Sequence, residues 1–582
     1  MIEYQAGDII FIGATIIDGT GTQNRYKADV LVRDGLIQSI GTELEKPSQD
    51  GVRIVDCDNG RWVLSPGFID MHAHSDLSLL HTPDHLAKIT QGVTTEVIGQ
   101  DGISYSPVND ETMARIRKQI AGWNGNPTDP PDFFDRWRSV EEYLDVLDAS
   151  KIATNVAYLV PQGNLRMLVK GWDSSPATQA EIDAMKEILH MAFKQGAVGM
   201  SSGLTYVPGN FADFEELSQL CEIVKQYGGY YCPHTRSYGK GAMEAYAEMI
   251  ELAKKTGVRL HLTHATLNFA ENVGRADEFL EMVDKAISEG IQLSMDTYPY
   301  LPGSTTLAAT LPSWVASADD KLAILSDPAQ LEKIRHQALV QGTDGCHGCT
   351  LNWEIIEISG VQRPSLAEKY VGKMLGQIAR ELNQDPFLTF IQILKEDDFG
   401  TTIMQHAGHE GNVRKIMRHR THTGGSDGIL TSTKPHPRGW GTFPRYLGHY
   451  HRDLAQGKSR RIEGPQVSEG TGPVEFDDVE PETIFVGGLE EAVSHLTGRA
   501  AGVIGLRDRG LIKEGYRADL LLFDADAIRD AATFANPRQP ATGIRAVLVN
   551  GQFAVDDGKP TGARAGRTIQ LKRGNGNDFV VA

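Results

Sequence analysis

Ser65-Pro66-Gly67-Phe68-Ile69-Asp70-Met71-His72-Ala73-His74 closes an apolar run with two histidines two positions apart. Successive side chains of a strand alternate between its faces, so residues i and i+2 point the same way. Residues 68–74 read as such a strand, and His72 and His74 then project together from its end. Two imidazoles on one face can reach a single metal ion. Two unrelated histidines would spell the same text, so the reading depends on the rest of the chain.

Outward from this stretch, strand and helix signals alternate. Further strands are predicted at 93–99, 155–160, 197–201, 230–234, 258–264, 291–297 and 423–427. Between them lie helix patterns: Leu217, Leu220, Cys221 and Val224 follow the i, i+3, i+4, i+7 spacing, as do Tyr246, Met249, Ile250 and Ala253. Eight strands in such alternation match an α/β (β/α)8 TIM barrel, although an open doubly wound sheet also alternates. The gap between the seventh and eighth strands is too long for a crossover, so residues 314–398 are predicted to be an insertion. It is read either as a lid over the barrel mouth or as a surface excursion.

Both ends of the chain read as β-structure. Ile9 to Ile12 and Val30 to Val32 near the start, and Leu520 to Phe523 and Ile544 to Val549 near the end, are apolar runs beside turn residues. A small β-sandwich built from both termini is expected, from residues 1–63 and 491–582, around a barrel at 64–490.

The 582 residues are 40% hydrophobic and 23% charged, as in globular proteins, and carry a net charge of −19. That charge disfavours nucleic acid and anionic membrane as partners. The first residues show no signal peptide and no apolar run is long enough to span a bilayer, so a cytoplasmic location is expected. Five cysteines make no disulfide framework. Cys346-His347-Gly348-Cys349 has the spacing of half a zinc site or of a redox pair. A second half is missing, and the motif is read as structural or incidental.

In a barrel, chemistry gathers at the C-terminal ends of the strands. His72 and His74 end the first strand, His234 the fifth, His261 and His264 the sixth, and Asp427 the eighth. Each has a bland reading: a buried polar residue or, for Asp427 before Gly428, a turn residue. Their joint occurrence at strand ends favours a site for zinc or a similar divalent ion. Val258, Leu260, Leu262 and His264 share parity, so His264 is favoured as the ligand and His261 as packing.

These residues, with further motifs, carry a resemblance. Gly92-Val93-Thr94-Thr95, Gly196-Ala197-Val198-Gly199-Met200-Ser201-Ser202-Gly203-Leu204-Thr205-Tyr206-Val207-Pro208-Gly209, Asp296-Thr297-Tyr298-Pro299-Tyr300, Gly425-Ser426-Asp427-Gly428 and His436-Pro437-Arg438 all contribute. The chain resembles the metal-dependent amidohydrolase superfamily, and within it the N-acyl-D-amino-acid deacylases (D-aminoacylases). The resemblance implies His72, His74, His234 and His264 as ligands of one or two divalent ions, zinc (Zn2+) foremost, and Asp427 as the catalytic acid and base. Where relatives place a cysteine ligand, this chain has Gly99-Gln100-Asp101-Gly102. Asp101 is the expected substitute, with Glu96 as the other candidate. Relatives often carry a lysine after the sixth-strand histidine to hold the substrate carboxylate. Here His264-Ala265-Thr266-Leu267-Asn268 lacks it, leaving Arg236, Tyr298 and Ser304 to take over, and Tyr206 or His264 to assist the developing oxyanion. The fourth strand also lacks the carboxylated lysine of the hydantoinase-like relatives.

The implied reaction is hydrolysis of an N-acyl amino acid, by resemblance the D-form, with a metal-activated water as nucleophile and a small molecule as partner. Alternatives are an amidohydrolase for a dipeptide, N-carbamoyl or cyclic amide, or a silent scaffold. Oligomeric state is not read from the sequence.

Overall fold

Eight short strands lie side by side in chain order: β1 (Phe68–Asp70), β2 (Val93–Ile98), β3 (Asn155–Pro161), β4 (Gly199–Gly203), β5 (Tyr230–His234), β6 (Arg259–Leu262), β7 (Leu293–Thr297) and β8 (His422–Gly424). Each pairs in parallel with the next, for example Tyr230 with Gly199 and Met295 with His422. The last strand returns to the first. Met71 N donates to Gly424 O at 3.1 Å, Asp427 N donates to His72 O at 2.8 Å, and Ala73 bridges Gly428. The sheet is therefore a closed barrel. This is a computed structural model, and it describes residues 4–42, 44, 50–128, 130–465, 471–472, 476–573 and 579–581.

Every residue of β2 and β3 is buried, as expected of parallel strands covered on both faces. The outer layer follows the predicted helix spacing. The helix Phe214–Gln226 buries Leu217, Leu220, Cys221 and Val224, and Asp213 caps it by accepting from Glu216 N. The helix Ala242–Thr256 buries Tyr246, Met249 and Ala253 and stops at Gly257, whose φ of +69° suits glycine.

Several strands end earlier or later than predicted. β1 stops at Asp70, so His72 and His74 stand beyond it, on a segment whose Ala73 still bridges Gly428 past the end of β8. β4 runs from Gly199 to Gly203, starting and ending two residues later than the predicted 197–201. β6 stops at Leu262 and His264 turns out of the strand with φ +29°, so the parity argument does not reach it.

The β-domain takes strands from both termini. Trp62–Pro66 pairs antiparallel with Leu520–Asp524, joining the two sets into one continuous nine-stranded sheet. Leu36 bridges Arg517, so the sheet curls over a core that includes Phe11, Val30, Leu520 and Leu548. Its other face, with Leu521, Phe523 and Val547, packs against Phe68, Val93 and Phe443 of the barrel. The domain limits differ from 491–582. Helices Gly488–Leu496 and Gly498–Ile504 pack on β1 and β8 and belong to the barrel, and Thr568–Ile569 adds a parallel strand beside β3.

The insertion between β7 and β8 is wider than 314–398. Gly303–Thr306, Thr402–Gln405 and Ile356–Gly360 form an antiparallel sheet in that order. Leu307, Ile358, Phe390 and Ile403 sit in a core of their own. Among the described residues no helix is long and apolar enough to cross a membrane.

Candidate metal centre

The loops leaving the strand ends are held tightly from below. Asp70, the last residue of β1, accepts from His72 N at 3.1 Å and from Ser426 N at 2.8 Å. Its other oxygen pairs with buried Lys88 at 2.6 Å, and Lys88 also donates to Ser426 Oγ at 2.8 Å. One carboxylate thus sets the backbone on either side of the seam. Asp296 on β7 does the same for the sixth-strand loop: it accepts from His264 N at 2.9 Å while its other oxygen meets His261 Nε2 at 2.9 Å. His261 therefore lies beneath the site and supports it.

Asp101 sits in the turn after β2 with φ +54°, between two left-handed glycines. A Cβ on Gly102 would lie 2.3 Å from Gly203 N, so only glycine lets this turn approach β4. Gly102 N donates to Ser201 Oγ at 3.1 Å. The Met200-Ser201-Ser202-Gly203 motif thus shapes the seat of Asp101.

Among the described residues, two groups bring metal-binding atoms within 4.8 Å of one another: His72, His74, Asp101 and Asp427, and Asp101, His234 and His264. Asp101 belongs to both. Its Oδ1 lies 3.7 Å from His72 Nε2 and 3.5 Å from His264 Nε2, and its Oδ2 lies 3.5 Å from His74 Nε2 and 3.5 Å from His234 Nδ1. Asp427 Oδ1 faces His74 at 3.3 Å and His72 at 3.6 Å. Imidazole nitrogens with a shared carboxylate are a donor set suited to zinc. Asp101 Oδ1 is buried without a hydrogen-bond partner, and a bound cation would satisfy it. The far nitrogen of His234 is fixed by Thr205 Oγ1 at 2.8 Å, which orients the ring. The residues fit the ion.

Burial pushes both carboxyls up, but their neighbours outweigh it. Arg438 and then His72 hold Asp427 below the usual carboxylate range, and His72, His234 and His264 hold Asp101 well below it. Burial lowers His72 to about 4. For His74 burial acts the same way, yet hydrogen bonds to Asp101 and Asp427 raise it to about 10.

Above the cluster lies a cavity of about 70 Å³ lined by Tyr206, Tyr298 and Ser304 among others. The Tyr206 hydroxyl meets Thr305 Oγ1 at 3.2 Å, and burial raises its pKa, so it stays a donor. Trp123 and Tyr206 separate this space from a second cavity of about 370 Å³, and Trp123 Nε1 is buried there without a partner.

Arg236 does not join the site. Its guanidinium is spent on Glu248 at 2.9 Å and on the carbonyls of Asn210 and Ala212 at 2.9 and 2.6 Å, so it braces a loop. The cation near the chemistry is fully buried Arg438, 2.8 Å from Asp427 Oδ2 and 4.4 Å above the Tyr298 ring. The His436-Pro437-Arg438 motif was its signal. Glu96 is also elsewhere: it pairs with His85 at 2.7 Å and accepts from Thr154 Oγ1 at 2.6 Å.

The Amidohydrolase family matches residues 53–555. A D-aminoacylase of Alcaligenes xylosoxydans xylosoxydans is 31% identical, over 97% of this chain and 98% of its own length. An N-acyl-D-glutamate deacylase of Bordetella bronchiseptica, solved with zinc and a phosphonate mimic of the tetrahedral intermediate, is 28% identical, covers 97% of this chain and 99% of its own, and superposes with a TM-score of 0.76. The crystal structure of a D-aminoacylase, 30% identical and covering 96% and 99%, gives 0.73. The chain therefore belongs to the amidohydrolase family, and within it to the D-aminoacylase group of N-acyl-D-amino-acid deacylases.

Proposed function

We propose that this chain hydrolyses the amide bond of N-acyl-D-amino acids, releasing a carboxylate and a free amino acid. His72, His74, Asp101, His234 and His264 would hold one or two zinc ions. A divalent ion there supplies an acidified water and polarises an amide carbonyl. Asp427 Oδ1, aimed between His72 and His74, takes the proton of the attacking water as the new C–O bond forms. It then delivers that proton to the departing nitrogen as the C–N bond breaks. Arg438 keeps Asp427 ionised and oriented, and the Tyr206 hydroxyl is the donor placed for the developing oxyanion. Tyr298 and Ser304, with the charge of Arg438 behind them, are the candidate seat of the substrate carboxylate.

The observation that carries this reading is the double placement of Asp427: one oxygen toward two histidines, the other on a buried guanidinium. Selectivity for the D-form is supported by the D-specific relatives. The N-acyl amino acid substrates of the relatives support a small-molecule partner, and the net charge of −19 weighs against nucleic acid or an anionic membrane. The test is hydrolysis of N-acetyl-D- and N-acetyl-L-amino acids in parallel, with and without chelator. Turnover of the D-series, lost with chelator and restored by zinc, is expected. Preference for the L-series, or chelator-insensitive turnover, refutes it.

A further inference from the structure

The Cys346-His347-Gly348-Cys349 motif has no part in the reaction above, yet the insertion carries it to the active-site cavity. His347 lines that cavity beside His234, with ring centroids 6.1 Å apart, and packs edge-on to Tyr238 at 5.4 Å. Its Nδ1 is buried and has no hydrogen-bond partner. Its φ is +57°, a conformation that non-glycine residues hold when the surroundings impose it, often at functional positions.

The surroundings do impose it. The His347 carbonyl accepts from Ser237 Oγ at 2.9 Å and from Lys240 N at 3.1 Å, both on the loop after β5. From the other side, Thr343 Oγ1 donates to Thr310 O at 2.9 Å. A Cβ on Gly345 would lie 1.9 Å from Ala309 O. The two cysteines serve the loop: both are buried, and Cys346 Sγ accepts from Gln405 at 3.5 Å. A rigidly aimed ring with an unused polar atom at a substrate cavity is a contact awaiting its ligand.

We infer that His347 contacts the substrate, donating a ring N–H to an oxygen acceptor on the amino-acid half of the N-acyl amino acid. This rests on the function proposed above. The acceptor is the α-carboxylate or a polar side chain, and the experiment separates them. His347→Phe keeps the ring packing but removes the N–H, and His347→Asn keeps a donor and tolerates the left-handed backbone. Both are assayed zinc-loaded, on N-acetyl-D-alanine and N-acetyl-D-glutamine.

His347→Phe is expected to raise KM about tenfold, with kcat within about twofold and zinc content unchanged, and His347→Asn to recover most of the loss. A rise with both substrates identifies the α-carboxylate, and a rise with the glutamine substrate alone identifies the side chain. Unchanged KM for both substrates, or a fall in kcat without a rise in KM, overturns the inference. Wild-type protein that holds zinc but turns over neither substrate overturns the functional reading and this contact with it, a result distinct from the other two.

Discussion

Asp427→Asn tests the proposed chemistry most directly. The amide keeps the shape of the side chain but loses the charge that pairs with Arg438, 2.8 Å from Oδ2. It cannot take a proton from water or return one to nitrogen. One positioned acid or base contributes about 10²–10⁴ in rate, and Asp427 acts in both transfers. Turnover should fall by about 10⁴-fold or more, equivalent to about 5 kcal/mol of barrier. Zinc should stay, because Asp101 and four histidines remain around it. Arg438 loses its counter-charge in a fully buried position, so folding stability should drop by roughly 3 kcal/mol. The assay combines kcat on an N-acetyl-D-amino acid, zinc content, and a denaturant midpoint. A folded, zinc-loaded variant with near wild-type kcat would refute the role of Asp427.

Asp101→Ala removes the carboxylate common to both ligand groups, so bound zinc should fall below half and activity by about 100-fold or more, read by metal analysis and kcat; unchanged zinc would show that no carboxylate is needed there. Arg438→Lys keeps the charge but cannot reach both Asp427 and Tyr298 with a planar fork, so kcat/KM should fall about 100-fold, and a change within twofold argues against the arrangement. Glu96→Gln addresses acid stability. Burial would raise Glu96, but His85 outweighs it and holds the carboxyl at about 2 against an ordinary 4.5. Its contribution, about 3 kcal/mol, is complete above pH 4.5 and lost as pH falls toward 2. The denaturant midpoints of wild type and variant should differ at pH 7 and converge near pH 2, and a pH-independent gap would contradict the sign.

The barrel was legible because its signals are local: strand period, helix period and strand-end histidines sit close together in the chain. Asp101 was reached through the resemblance, as the residue standing where relatives place a cysteine. What sequence could not supply was direction. Arg236 stands two residues from His234 and looks like a substrate clamp, but the chain turns it onto Glu248. Arg438 opens the helix Arg438–Arg445, and although its motif marked it as notable, the motif could not show that its guanidinium meets Asp427. Strand parity set His264 and His261 on opposite faces, and the left-handed turn at His264 undid the alternation. His347 reaches the site from within an insertion with its own core, a distance no periodicity spans.

The hydrogen bond from Asp427 N to His72 O joins the eighth strand's loop to the first's. It is a fastening of the fold and, at once, the backbone link between a candidate ligand and the candidate acid–base. A molecule that breathes open at this point disassembles its chemistry in the same motion. Deuterium uptake at the Asp427 amide should therefore serve as a clock for both events. Agents that tighten the centre should slow it, and mutations elsewhere along the β1–β8 junction should silence the enzyme without touching any residue of the cavity.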